Sequence, residues 1–201
     1  MAATRYETVL GLIDEANAQD PTHEISEGTQ YPREWLYGRR MSACLDRFCP
    51  EASEALRIAA RGQHIRRWEI PRDGYPPTRE GYLKWRTFLY GFHADQVAAL
   101  MLQAGYEAAL IDRVKTLIQK RGIKMDTEVQ TLEDVICLVF LEHHFAEFAR
   151  TQDAEKLITI VRKTWNKMSE RGHEFALRLP FPESVQPLLA RALSPDQTAD
   201  A

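Results

Sequence analysis

The segment Arg57–Trp68 (RIAARGQHIRRW) places His64 among Arg57, Arg61, Arg66 and Arg67, with Arg72 a few residues further on. An imidazole so close to positive charge is either held neutral, as a metal ligand is, or belongs to an anion-binding site. Two more polar residues fall on apolar faces. His93 lies with Leu89, Val97 and Leu100 at helical spacing, and Asp134 lies in line with Leu138, Leu141 and Phe145. A buried carboxylate without a partner is costly, so Asp134 must be paired, capping or ligating. Two imidazoles and a carboxylate from three helices form a set that holds one divalent metal with coordination positions left open. An open position lets a bound water lose a proton and act as a nucleophile.

The expected metal set is therefore His64, His93 and Asp134, for manganese, iron or zinc, and no organic cofactor is indicated. Asp134, Glu133 and Lys120 are the candidate catalytic groups. The plainer alternatives are that each histidine is a hydrogen-bonded core residue and that Asp134 serves a helix N-terminus, where the dipole favours a carboxylate. Glu142, His143, His144 and Glu147 read as a solvated helix end.

Arginine forks bind phosphate and carboxylate in bidentate fashion. The candidate substrate-binding residues are Arg40, Arg61, Arg67, Arg72, Trp68, Tyr75, Lys84, Arg86 and Lys115. The competing expectation is structural ion pairing with Glu34, Glu51, Glu54, Glu69 and Asp73. The loop Ile70–Tyr82 (IPRDGYPPTREGY) follows His64 and precedes the helix of His93, so Arg72, Tyr75 and Tyr82 are placed to close over a ligand.

These groups need a scaffold. The chain has 201 residues, which fits one domain, expected at 1–195 with a disordered tail at 196–201. A net charge of −3 argues against nucleic acid as the partner and leaves the basic character local. An anionic small molecule is the expected ligand. The odd set Cys44, Cys49 and Cys137 lacks metal spacing and suggests a reduced, cytoplasmic protein. No apolar window reaches membrane length and no leader pattern is visible. Walker, GxGxxG, GxSxG and CxxC motifs do not occur, which removes the common nucleotide, serine-hydrolase and redox signatures.

Helical spacing runs through nearly the whole chain. Tyr6, Val9, Leu10, Ile13 and Ala16 mark a first helix, and Gln19–Pro32 is a polar connection. A second helix spans about 33–48. A third starts at Pro50 and ends near His64. Gly81–Gln103 is a long helix closed by Gly105, and Glu107–Lys120 another closed by Gly122. Thr131 is the expected N-cap of a central helix at Val135–Phe145, apolar on nearly all sides. Helices at Asp153–Ser169 and Ser184–Leu193 complete the set. No strand is expected. The predicted fold is an all-α bundle of about seven or eight helices.

The segments LYGRRM, ASEALRIAARGQHIRRWEIPR, GYLKWR, FHAD and QTLEDVICLVFLE resemble a bacterial and fungal family known only as a domain of unknown function (DUF4202-like), over roughly residues 34–178. More distantly, the order of elements is similar to the HD-domain superfamily of helical metal-dependent phosphohydrolases. There ALRIAARGQHI matches the HD-bearing helix with His64 at the His, and Ile65 stands where the Asp of the pair belongs. TLEDVICL matches the final Asp segment, with Asp134 as the best fit, and His93 matches an extra His of some members. The first His of the superfamily has no counterpart near Tyr37–Arg40. The resemblance implies a metal-dependent phosphohydrolase, or a degenerate HD fold that binds an anion or nucleotide as an adaptor without metal. A two-His-one-carboxylate set also suits non-haem iron and oxygen chemistry. The sequence carries no indication of oligomeric state.

Overall fold

A computed structural model describes residues 3–193. The chain forms two compact units, 1–132 and 133–201. The tail expected to be disordered lies outside the described residues.

The first unit begins with α1 (Arg5–Asn17), capped by Thr4 in a reciprocal capping box with Glu7. β1 (His23–Ser26) and β2 (Thr29–Pro32) then pair as an antiparallel hairpin within the segment expected to be a plain connection. Its two-residue turn, Glu27-Gly28, has both φ angles positive, at 51° and 77°. That conformation matches the twist of a hairpin. The hairpin escaped the sequence reading because Glu-Gly is a weak turn signal and both strands lack an inward apolar face.

α2 (Arg33–Phe48), α3 (Glu54–Arg61), α4 (Arg79–Gln103), α5 (Ala108–Ile118) and the start of α6 (Thr127–Val139) complete this unit. Their shared core contains Val9, Ile13, Met41, Leu45, Leu56, Ile58, Val97, Met101, Leu117 and Leu132. α3 begins after Ser53, whose hydroxyl accepts from Leu56 N, so the start expected at Pro50 falls in a turn. α3 also stops at Arg61, which leaves His64 on a turn. α6 begins a turn earlier than expected. Asp126 Oδ1 accepts from the amides of Glu128 and Val129, whereas Thr131, the expected cap, lies inside the helix and donates to Thr127 O.

The second unit takes up the rest of α6 and passes through a π-helical turn (Phe140–His144) into α7 (Phe145–Ala149). The helix expected over Asp153–Ser169 is α8 (Ala154–Trp165), capped by Asp153. A separate α9 (Glu170–Ala176) is capped by Ser169, and α10 (Gln186–Leu193) packs on α8. Leu138, Phe145, Leu157, Val161 and Ala176 are its buried centre. The three cysteines are buried and form no disulfide. The predominantly helical architecture stands as expected, with the hairpin added. Among the described residues no helix is long and apolar enough to cross a membrane.

Two close approaches set the geometry around α4. A Cβ on Gly62 would lie 2.4 Å from Val97 Cγ2, and one on Gly81 would lie 2.2 Å from Pro76 O. Glycine at 62 lets the end of α3 press on α4, and glycine at 81 lets the proline loop fold onto the start of α4. Replacing Gly81 with alanine drives a methyl into backbone, which cannot yield as a side-chain tip does. Gly81→Ala is expected to destabilise by about 1–3 kcal/mol, the usual cost of overpacking, read from urea unfolding.

Candidate functional site

The first unit gathers its polar groups where α2, the turn after α3, and α4 meet. Asp20 starts the assembly. Its Oδ1 accepts from Thr22 N at 2.8 Å and its Oδ2 from Glu34 N at 3.0 Å, so this buried carboxylate caps α2. Glu34 is thereby held in the first turn of α2, facing His64 with Oε2 3.3 Å from Nδ1. Tyr37, one turn along, stacks on the His64 ring at 4.0 Å and 10°. Beyond Gly62 the chain turns through Ile65 to Arg66, whose backbone is left-handed at φ 52° and whose amide donates to Asn17 Oδ1 at 3.0 Å. That turn presents the Ile65 carbonyl to His93, whose Nδ1 lies 2.8 Å away.

A carbonyl only accepts, so His93 carries its proton on Nδ1 and offers a lone pair at Nε2. Nε2 is buried and has no hydrogen-bond partner among the described residues. Burial, the neighbouring His64 and Arg67 push the His93 pKa down to about 3, against the Ile65 bond, which pulls it up. The same logic fixes His64. Arg67 Nη1 stands 3.3 Å from His64 Nε2 and only donates, while the Glu34 carboxylate accepts at Nδ1. The two imidazole rings lie 5.9 Å apart. The sequence set His64 and His93 as partners and the fold brings them together; Glu34 was expected only as a counter-ion of the arginines, and Tyr37 and Asn17 carried no signal, because each acquires its role from long-range contacts.

The arginines divide into two groups. Arg57 bonds Asp46 and the Pro50 and Ala52 carbonyls. Arg61, 8% exposed, bonds Asp14 and Ser42. Arg40 pairs with Glu24 of the hairpin, and Arg66 with Glu69 at 3.6 Å. Lys84 pairs with Glu80 at 2.8 Å and Lys115 with Asp95 at 2.9 Å. Arg86 bonds the Tyr90 hydroxyl, and Lys120 lies over the Tyr90 ring. Arg40, Arg61, Lys84 and Lys115 are thus ion-paired, but with Glu24, Asp14, Glu80 and Asp95 rather than with the acids expected from the sequence.

Arg67 and Arg72 differ. Both stand over the Trp85 indole, at 4.7 and 6.0 Å from its centre. Arg72 donates to the Tyr75 and Pro76 carbonyls, and Trp85 Nε1 donates to Ile70 O, which ties the loop down. Neither guanidinium has a carboxylate within ion-pair distance among the described residues. Trp68 and Tyr75 are half-buried near this segment.

Asp134 belongs to the second unit and has another task. Its Oδ1 accepts from Ser169 N at 2.8 Å and its Oδ2 from the Ser169 hydroxyl at 2.6 Å, which fixes the start of α9. Glu133 faces Lys167 at 3.9 Å. Among the described residues no group of three or more His, Cys, Asp or Glu side chains is placed to hold a metal ion. Of the three expected ligands, His64 and His93 meet in the first unit, and Asp134 lies in the second, where it accepts from Ser169 at the start of α9.

What the geometry defines is a helical protein with a carboxylate-braced histidine pair beside two guanidiniums on one indole. The chain belongs to the family described as a domain of unknown function, DUF4202, whose model matches residues 7–189. No curated protein and no solved structure matches it.

Two outcomes follow from these contacts. Asp134→Ala removes both bonds to Ser169 and leaves a buried amide unpaired, so unfolding should cost about 1–3 kcal/mol less. For His93, the unfolded side chain takes up a proton below pH 6.5 and the folded one only near 3. Between those values the unfolded state binds the extra proton, so stability falls as the pH is lowered, by up to about 1.4 kcal/mol per unit. His93→Gln lacks this sensitivity. Its stability deficit against the parent should shrink as urea midpoints are followed from neutral pH into acid, and parallel profiles would refute a neutral His93.

Proposed function

We propose that this protein binds a phosphorylated small molecule or nucleotide through Arg67, Arg72 and His64, without a resident metal. The observation that carries the reading is the pair of guanidiniums over Trp85. Every other basic residue expected to bind substrate is paired with a carboxylate or engaged at a tyrosine, whereas these two have no carboxylate partner among the described residues and Arg67 stands next to an imidazole. A phosphoryl group is the dianion that fits such a fork arrangement. Arg72 is anchored to loop carbonyls and supplies fixed charge. Arg67 is free to turn from His64 Nε2 to a phosphoryl oxygen, which leaves the imidazole, oriented by Glu34, for a second contact. The likeness of ALRIAARGQHI to the HD superfamily supports the same ligand class. Asp134, the carboxylate that a metal-dependent hydrolase would use, is engaged with Ser169, so binding is the activity put forward.

Titration calorimetry with inorganic phosphate, glucose 6-phosphate and AMP, in chelator and in divalent metal, tests this. At least one should bind and raise the melting temperature equally in both buffers. Arg67→Gln should weaken that binding about tenfold to a hundredfold, matching the ~1.5–3 kcal/mol of a charge-assisted hydrogen bond. Lys84→Gln, at an exposed ion pair, should leave it unchanged. Failure of all three ligands at millimolar concentration, an undiminished Arg67→Gln, or a strict metal requirement would each overturn the reading.

A further inference from the structure

The second unit contains a pocket of about 330 Å³. That is at the small end of the ~300–1,000 Å³ range of ligand sites. Its walls are almost wholly apolar: Leu141, Val161, Trp165, Leu177, Phe181 and Leu189 are the principal contributors, and Gln186 adds an amide.

Three features separate it from a packing defect. Leu141 reaches the wall from the π-helical turn Phe140–His144, where the Phe145 amide bonds Phe140 O five residues back. Such turns interrupt a regular helix at a cost and recur at functional sites. Leu177 is left 66% exposed, although it forms part of the wall. Most tellingly, the Trp165 indole N–H makes no hydrogen bond among the described residues and is not sealed from solvent, while the Gln186 amide nitrogen is already committed to Phe181 O. Trp165 is held in place by its stack on His173 at 4.0 Å and by the bond between His173 and the Trp165 carbonyl. The pocket thus has a largely apolar lining, and one of its wall residues, Trp165, carries a donor without a protein partner among the described residues.

We infer that this pocket binds a small apolar ligand bearing one hydrogen-bond acceptor, of the kind a medium-chain carboxylic acid or its ester presents. The apolar body lies against Leu141, Val161, Phe181 and Leu189. Its carbonyl oxygen accepts from Trp165 Nε1. The acceptor, rather than a charge, is the recognised feature, so acid and ester are bound alike.

Decanoate and methyl decanoate, both below their aggregation limits, are the probes, with binding read by calorimetry on the full chain. Both should bind with one site per chain. Trp165→Phe keeps the ring and removes the donor, and should weaken both several-fold. Leu177→Glu, at an exposed position that does not threaten folding, should weaken decanoate more than the ester by placing like charge at the rim. Circular dichroism and the melting temperature establish that each variant is folded. No binding of either probe, equal affinity in Trp165→Phe, or sedimentation as a dimer that dissociates in Leu177→Glu without any ligand effect would overturn the inference. The last outcome would assign this face to a second copy of the chain.

Discussion

A single buried hydrogen bond, from His93 Nδ1 to the Ile65 carbonyl, organises the first unit's polar centre. It joins the middle of a long helix to an irregular turn, two elements with no regular ladder between them. It decides which nitrogen of His93 is protonated, and hence that the other is an acceptor. It also fixes the turn that carries His64 on one side of Ile65 and Arg67 on the other. Move the carbonyl and the imidazole pair, the guanidinium and the braced carboxylate lose their common geometry together. A neutral, deeply buried histidine costs less here than a charged one, because desolvation and the nearby cations act in the same direction.

The two units use carboxylates alike. Asp20, Asp126 and Asp134 each accept backbone amides at or near a helix start. Asp134, which looks catalytic in a linear reading because it sits on an apolar face at helical spacing, makes these contacts at the start of α9. Ionised oxygens that accept amide hydrogens are stabilised by the helix dipole, and so tolerate burial.

This explains which parts were legible in the sequence. Helix positions followed from periodicity, and so did the pairing of His64 with His93, since both stand out as polar groups on apolar faces. Asp134 stood out equally, but its choice between ligand and helix-start roles could not be read, because periodicity reports that a residue is buried but not what it touches. Glu34 was overlooked for the converse reason: near an arginine-rich stretch it reads as a surface counter-ion, and only the cap from Asp20, fourteen residues earlier, turns it inward. The hairpin was invisible because its strands bury little. The sorting of arginines into paired and unpaired could not be read at all, since it depends on acids such as Asp14, 47 residues from Arg61.

The left-handed backbone at Arg66 has a further consequence. A non-glycine residue there stores roughly 1–2 kcal/mol, and its amide is restrained by Asn17, the last residue of α1. The turn bearing His64 and Arg67 is therefore a sprung element latched by the end of the N-terminal helix. Because α1 also contributes Val9 and Ile13 to the core, the strained turn and the core share one support, and the set of His64 and Arg67 is a gauge of whether the first helix is wound.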